Sequence, residues 1–134
     1  MGRWMSPQTV QKTVDIVRKD EDRQVITGPV LIPDREDRHG DVVREENITD
    51  VAYKFMQEYQ NVDLMHTFQD VGVPVESYQA PADMDFDGET VPKGSWIISV
   101  KVTDQEVWSQ VKSGELTGFS IYGQGERKPL EEDT

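Results

Sequence analysis

A serine held in a glycine-bounded, β-prone run, Gly118-Phe119-Ser120-Ile121-Tyr122-Gly123, is the first group in this sequence that could do covalent chemistry. In a strand, Phe119 and Ile121 share one face and the Ser120 hydroxyl points to the other. A serine hydroxyl is a poor nucleophile near neutrality until a base takes its proton. The chain has two histidines, His39 and His66. His66 closes a second β-prone run, Val62-Asp63-Leu64-Met65-His66, and is the natural base for Ser120. A third group usually orients such a base. Gly118 and Gly123 would let a substrate backbone or an oxyanion-binding amide come close. An ordinary strand serine and a hydrogen-bonded histidine would give the same pattern, and their separation in sequence neither supports nor opposes the pair.

Two acidic segments raise the question of a metal. Asp34-Arg35-Glu36-Asp37-Arg38-His39-Gly40-Asp41 has oxygen ligands and a glycine, but its spacing is wrong for a calcium loop and basic side chains interrupt it. Asp83, Asp85, Asp87 and Gly88 copy the opening of an EF-hand loop, yet no helix precedes them and Glu89 falls too early to close the site. Both read as solvated loops, and no metal or cofactor is assigned. Trp96 and Trp108 lie on apolar faces and read as core.

The elements that must position Ser120 and His66 follow from periodicity. Residues 10–18 alternate loosely as a first strand, with Val14 and Ile16 on one face, and Lys19-Asp20-Glu21-Asp22 makes a charged turn. Residues 24–32 complete a hairpin, with Gly28-Pro29 marking a bulge or an edge. Residues 33–46 are polar and read as a surface loop. Ile48, Val51, Ala52, Phe55, Met56 and Tyr59 form one helical stripe, which Asn47 or Thr49 can cap and Asn61 can end. Strands follow at 62–66 and 73–78, then a long acidic loop at 80–94. Trp96, Ile98, Val100 and Val102 share a face of the strongest strand, 96–102. Thr103-Asp104-Gln105-Glu106 has the capping-box form and opens a helix running to Lys112, with Gly114 as a left-handed stop. The Ser120 strand comes next. Residues 1–125 are expected to form a single domain and 126–134 a polar, mobile tail. The expected architecture is α+β and mostly β, a single curved sheet or small β-barrel with two helices packed outside it.

Composition narrows the partners. A chain of 134 residues is long enough for a real core. A net charge of −12 argues against nucleic acid and against anionic membrane surfaces, and favours basic partners or basic substrate segments. No apolar run reaches membrane-span length, and the first residues do not resemble a signal peptide. The chain has no cysteine, which excludes disulfides, thiolate metal sites and thiol nucleophiles and fits synthesis in the cytosol.

Several runs together carry a family resemblance. They are Ile26-Thr27-Gly28-Pro29-Val30-Leu31-Ile32-Pro33-Asp34, His39-Gly40-Asp41-Val42-Val43, Asp63-Leu64-Met65-His66 and Val75-Glu76-Ser77-Tyr78. Lys93-Gly94-Ser95-Trp96, Val100-Lys101-Val102-Thr103-Asp104 and Gly114-Glu115-Leu116-Thr117-Gly118-Phe119-Ser120-Ile121 complete the set. From about residue 25 to residue 123 the chain resembles the XkdF-type phage serine protease domain. That group is a branch of the prohead (capsid maturation) proteases, similar in fold to herpesvirus assemblin.

The resemblance implies a serine endopeptidase with nucleophile Ser120 and base His66. It implies phage scaffold or capsid protein as substrate, cut in the host cytoplasm within the assembling prohead, with no cofactor. It also implies a third, acidic or histidine, residue to orient the base. In relatives that residue usually lies on a further strand. Here no apolar strand follows Ser120, so a trimmed chain or a site lacking its orienting carboxylate is an open reading. Of two candidates in the chain, Glu126 fits only if the chain folds back. Glu76, on the strand after His66, could approach the imidazole across a hairpin and is preferred. Control by association is a further implication, and the apolar Val107, Trp108 and Val111 point to a symmetric dimer through the 104–112 or 48–59 helix. The alternative from another class is a non-catalytic structural or scaffolding module of a phage head that keeps the protease fold.

Overall fold

The computed structural model describes residues 8–37, 40–64 and 71–125. Its strands are β1 (Gln8–Asp15), β2 (Arg18–Asp20), β3 (Val25–Leu31), β4 (Val62–Asp63), β5 (Gly72–Gln79), β6 (Met84–Phe86), β7 (Glu89–Val91), β8 (Trp96–Val102) and β9 (Gly118–Gly125). Helix α1 (Glu45–Lys54) runs into a π-helical turn (Phe55–Tyr59), and α2 (Gln105–Ser113) precedes β9. The class is α+β, as expected, but the single curved sheet or small barrel is not found. Among the described residues the strands form three separate antiparallel sheets ordered β1-β9-β4, β2-β3-β8-β5 and β6-β7, and no barrel closes.

The division begins inside the expected first strand. β1 stops at Asp15, and the next two residues turn to different sheets. The Ile16 N–H donates to the Thr117 carbonyl at 3.0 Å, beside β9, whereas the Val17 N–H donates to the Thr27 carbonyl of β3 at 2.8 Å. One run of chain thus supplies β1 to the first sheet and β2 to the second. Gly28 lets β3 press against β1 at this corner. A Cβ there would overlap the Asp15 carbonyl oxygen and lie 2.8 Å from Val14 Cγ1. The expected irregularity beside it is a register shift between Pro29 and Leu31.

The main core fills the space between the two larger sheets and the helices. Ile98, Val100 and Val102 of β8 are completely buried, as are Val14 of β1 and Ile48 of α1. The α1 stripe buries Ile48, Ala52 and Phe55 but leaves Val51 exposed, and the Phe55 ring meets Trp96 edge-on at 5.5 Å. The N-cap position is Arg44, whose side chain makes no capping hydrogen bond to the helix, so neither Asn47 nor Thr49 caps it. Glu45 and Glu46 complement the dipole of its first turn instead.

At α2 the cap is Asp104, one residue after the expected Thr103, and its carboxylate accepts the Val107 N–H at 3.0 Å. Gly114 ends the helix at φ +85°, the left-handed stop expected of it. Val107, Trp108 and Val111 are all buried within the chain, so the apolar face that suggested self-association through α2 is already covered. Val51 and Tyr53 of α1 remain exposed.

The acidic stretch 80–94 is not a loop throughout. It contains the β6–β7 hairpin, closed by Asp87 and Gly88 at φ +53° and +95°. Two consecutive positive φ values are the signature of a type I′ turn, for which Asp-Gly is a preferred pair. Asp85 Oδ1 accepts the Gly88 N–H within the turn and Asp83 Oδ1 the Lys93 N–H at the open end of the hairpin, so both carboxylates serve local backbone. Phe86 and Val91 then cover Ile97 on the second face of β8. Among the described residues no helix is long and apolar enough to cross a membrane.

Candidate active site

β9 is the middle strand of its sheet, and its register decides what surrounds Ser120. Thr13 of β1 is the Cα partner on one side and Asp63 of β4 on the other, while Gln11 stands opposite Tyr122. Directly paired residues of an antiparallel ladder project to the same face. Gln11, Thr13, Asp63, Ser120 and Tyr122 therefore share one polar face. The opposite face carries Val14, Val62, Phe119 and Ile121 into the core. The alternation expected of Phe119, Ser120 and Ile121 is present.

Asn61 holds this register. Its Nδ2 donates to the Tyr122 carbonyl and its Oδ1 accepts the Tyr122 N–H, both at 2.8 Å. The side-chain amide thus extends the β4–β9 ladder by one step and keeps the two-residue β4 in line. On β9 itself, a Cβ at Gly118 would sit 2.8 Å from the Val14 carbonyl oxygen, so only glycine fits against β1 there.

Ser120 is 1% exposed and Asp63 3%. Gln11 Nε2 donates to Ser120 Oγ at 3.0 Å. A hydroxyl has one proton and two acceptor sites, so this bond leaves the serine proton available to a base. Were that proton removed, the Gln11 N–H would face the resulting oxyanion. Tyr122 is held above the ordinary tyrosine pKa, first by burial, then by the charge of Asp63 and by a hydrogen bond with it.

The other sequence candidates lie elsewhere. Glu76 is on β5, exposed, with Ser99 of β8 as its Cα partner, and so belongs to the four-stranded sheet rather than to the sheet of Ser120. His66, His39 and Glu126 lie outside the described residues. Sequence reasoning assigned no role to Asp63, Gln11 or Asn61. Asp63 had a signal, a carboxylate inside the β-prone run Val62-Asp63-Leu64. Gln11 had none, because only the β1–β9 pairing brings it to Ser120.

A cleft of about 200 Å³ lies beside β1, lined by the 29–32 segment and by Arg35, Glu36, Asp37, Asp41 and Val43. Within its lining Lys12 Nζ bonds Asp37 Oδ2 at 2.6 Å and Asp41 Oδ2 at 2.9 Å. Lys12 pairs with Ile121 and not with Ser120, so this ion cluster is set against the opposite face of the sheet.

Residues 13–129 match a protein-family model described as "Putative phage serine protease XkdF". The chain belongs to the XkdF family. The match takes in all of β4 and β9 and residues 13–15 of β1, and Gln11 lies outside it. Two Bacillus subtilis (strain 168) relatives agree. "Phage-like element PBSX protein XkdF" is 37% identical over 131 residues, 93% of this chain and 47% of that protein. "Uncharacterized protein YqbD" is 44% identical over 118 residues, 87% of this chain and 36% of its own length. The chain thus spans less than half the length of either relative. No solved structure matches it. Membership supports a protease-family role, and the assignment of individual residues rests on chemistry.

Proposed function

We propose that this chain is a serine endopeptidase domain of the phage prohead type, cutting scaffold or capsid protein segments during head assembly. Ser120 is the nucleophile and His66 the general base. Ser120 Oγ attacks the scissile carbonyl as its proton passes to His66. The C–N bond then breaks, the amine leaves with that proton, and water hydrolyses the acyl-serine ester by the reverse relay. No cofactor enters these steps. The acidic chain favours basic substrate segments. The setting is the host cytoplasm, inside the assembling head, and association into a dimer would tie activity to local concentration.

The observation that carries this reading is the state of Ser120 in an XkdF-type chain. It is a buried hydroxyl on the polar face of a central strand, accepting one hydrogen bond and keeping its proton to give. The test is cleavage of the cognate scaffold or capsid protein, with Ser120→Ala and His66→Ala in parallel. Loss of cleavage in both variants is expected, and equal cleavage by all three proteins would sink the assignment. The 1% exposure of Ser120 favours the second reading, a head-assembly module that keeps the fold without the activity. A fluorophosphonate probe separates the two: labelling at Ser120 supports the enzyme, and silence from a folded chain supports the module.

A further inference from the structure

We infer that Gln11 is a further catalytic residue of this site, its side-chain N–H holding Ser120 Oγ and stabilising the negative charge that gathers there as the serine reacts. The inference rests on the serine-protease reading and adds the group that steadies the nucleophilic oxygen.

The ladder register brings the amide to that oxygen. Gln11 pairs with Tyr122, two residues along β9 from Ser120, and the two positions share a face. Such diagonal neighbours lie about 7–8 Å apart, a gap that a long side chain crosses. Gln11 Nε2 crosses it and donates to Ser120 Oγ at 3.0 Å. β1 pairs with β9 all the way from Gln8 to Asp15, so the donor stands inside a continuous ladder and not at a fraying end.

Burial gives the bond its weight. Ser120 is 1% exposed, so little water reaches the oxygen to solvate a charge. Asp63, its Cα partner on β4, is 3% exposed, and its negative charge opposes a second one beside it. A fixed dipole aimed at the oxygen takes the place of the missing water. The Tyr122 hydroxyl is engaged by Asp63, whereas the Gln11 amide addresses Ser120 Oγ. An amide does not titrate near neutrality, so Gln11 serves as a donor and not as a base. Charge gathers on Oγ twice. It grows as the O–H proton leaves and the oxygen's electron pair forms the bond to the acyl carbon. It returns after water has added to the ester, when the C–Oγ bond breaks and its electron pair goes back to Oγ until a proton restores the hydroxyl. The Gln11 N–H is placed for both moments. Gln11 lies before the residues that the family model matches, so the inference concerns this chain's own sequence.

The test is the rate of fluorophosphonate labelling at Ser120. In that reaction the Oγ–P bond forms, fluoride leaves with the P–F electron pair and the serine proton passes to the base. The parent, Gln11→Leu and Gln11→Glu chains are compared, each checked for folding by circular dichroism. Gln11→Leu is expected to label more slowly by about tenfold or more. Gln11→Glu keeps the shape but exchanges the donor for an acceptor. Its rate relative to the parent should be lowest near about pH 8 and recover toward about pH 5, where a carboxylic acid regains an O–H to donate. A glutamine that only fills space predicts no such recovery. Parent-like labelling by Gln11→Leu, or a Gln11→Glu ratio that does not change with pH, would overturn the inference and leave the protease reading standing. Should neither variant fold, NMR decides: the Gln11 side-chain amide signal must move between the parent and Ser120→Ala, and an unmoved signal refutes the contact. A parent chain that never labels removes the protease reading, and the inference with it.

Discussion

Ser99 and Ser120 are both 1% exposed, and each sits on a central strand of its sheet, yet they keep opposite company. Ser99 Oγ lies 2.8 Å from Thr27 Oγ1, a bond either hydroxyl can donate, on a strand where Ile97, Ile98 and Val100 are completely buried. Those two hydroxyls satisfy one another. Ser120 instead accepts from a neutral amide and has a buried carboxylate as its strand partner. Burying a carboxylate costs far more than burying a hydroxyl pair, so the second arrangement needs a reason that packing does not supply. Burial does not mark a serine for chemistry. Its neighbours do.

The comparison can be broken most directly by chemistry at the two serines. Ser120→Ala should reduce fluorophosphonate labelling by about 10³-fold or more, with Ser99→Ala labelling like the parent chain. Labelling that survives in Ser120→Ala would erase the distinction between the two sites.

A smaller effect concerns the corner that separates the sheets. Gly28→Ala would drive a methyl group into the Asp15 backbone, which is not free to move while Ile16 and Val17 bond to different sheets. Urea unfolding should show a loss of about 3 kcal/mol. A near-neutral result would mean that the two sheets are not held as closely as this geometry requires.

The closed hydroxyl pair comes next. Ser99→Ala leaves the Thr27 hydroxyl buried without its partner and should cost about 1–2 kcal/mol in the same measurement. Adding Thr27→Val removes the orphan, so the double variant should be closer to the parent than Ser99→Ala is. If the double variant is the less stable of the two, the pair is not self-contained.

The smallest effect is spectroscopic and uses one tyrosine from each region. Tyr122 and Tyr78 are both held above the ordinary tyrosine range, in each case first by burial and next by one carboxylate, Asp63 for Tyr122 and Glu76 for Tyr78. In alkaline absorbance titrations, Asp63→Asn should lower the Tyr122 pKa alone and Glu76→Gln that of Tyr78 alone, with Tyr→Phe variants identifying each. A pKa raised on folding stabilises the fold below the ordinary tyrosine range, and that contribution is lost as pH rises through the raised value. Stability should therefore fall with pH in this alkaline window, and less steeply in Asp63→Asn.

Local periodicity determined a large part of this protein. The 96–102 strand, the face formed by Ile48 and Ala52 of α1 with Phe55 of the π-helical turn, the left-handed stop at Gly114 and the alternation around Ser120 depend on neighbours a few residues apart, which the sequence places side by side. The Asp87-Gly88 hairpin was legible in the same way, but the regular spacing of Asp83, Asp85 and Asp87 drew attention to carboxylates where the turn chemistry mattered more. Tertiary structure decided the rest. Whether residues 10–20 make one strand or two depends on what Ile16 and Val17 bond to, and those partners, Thr117 and Thr27, come from distant parts of the chain. That Asp63 meets Ser120 while Glu76 meets Ser99 is likewise a matter of ladder register. Register is set by long-range pairing, and a shift of one residue would have turned either carboxylate to the opposite face.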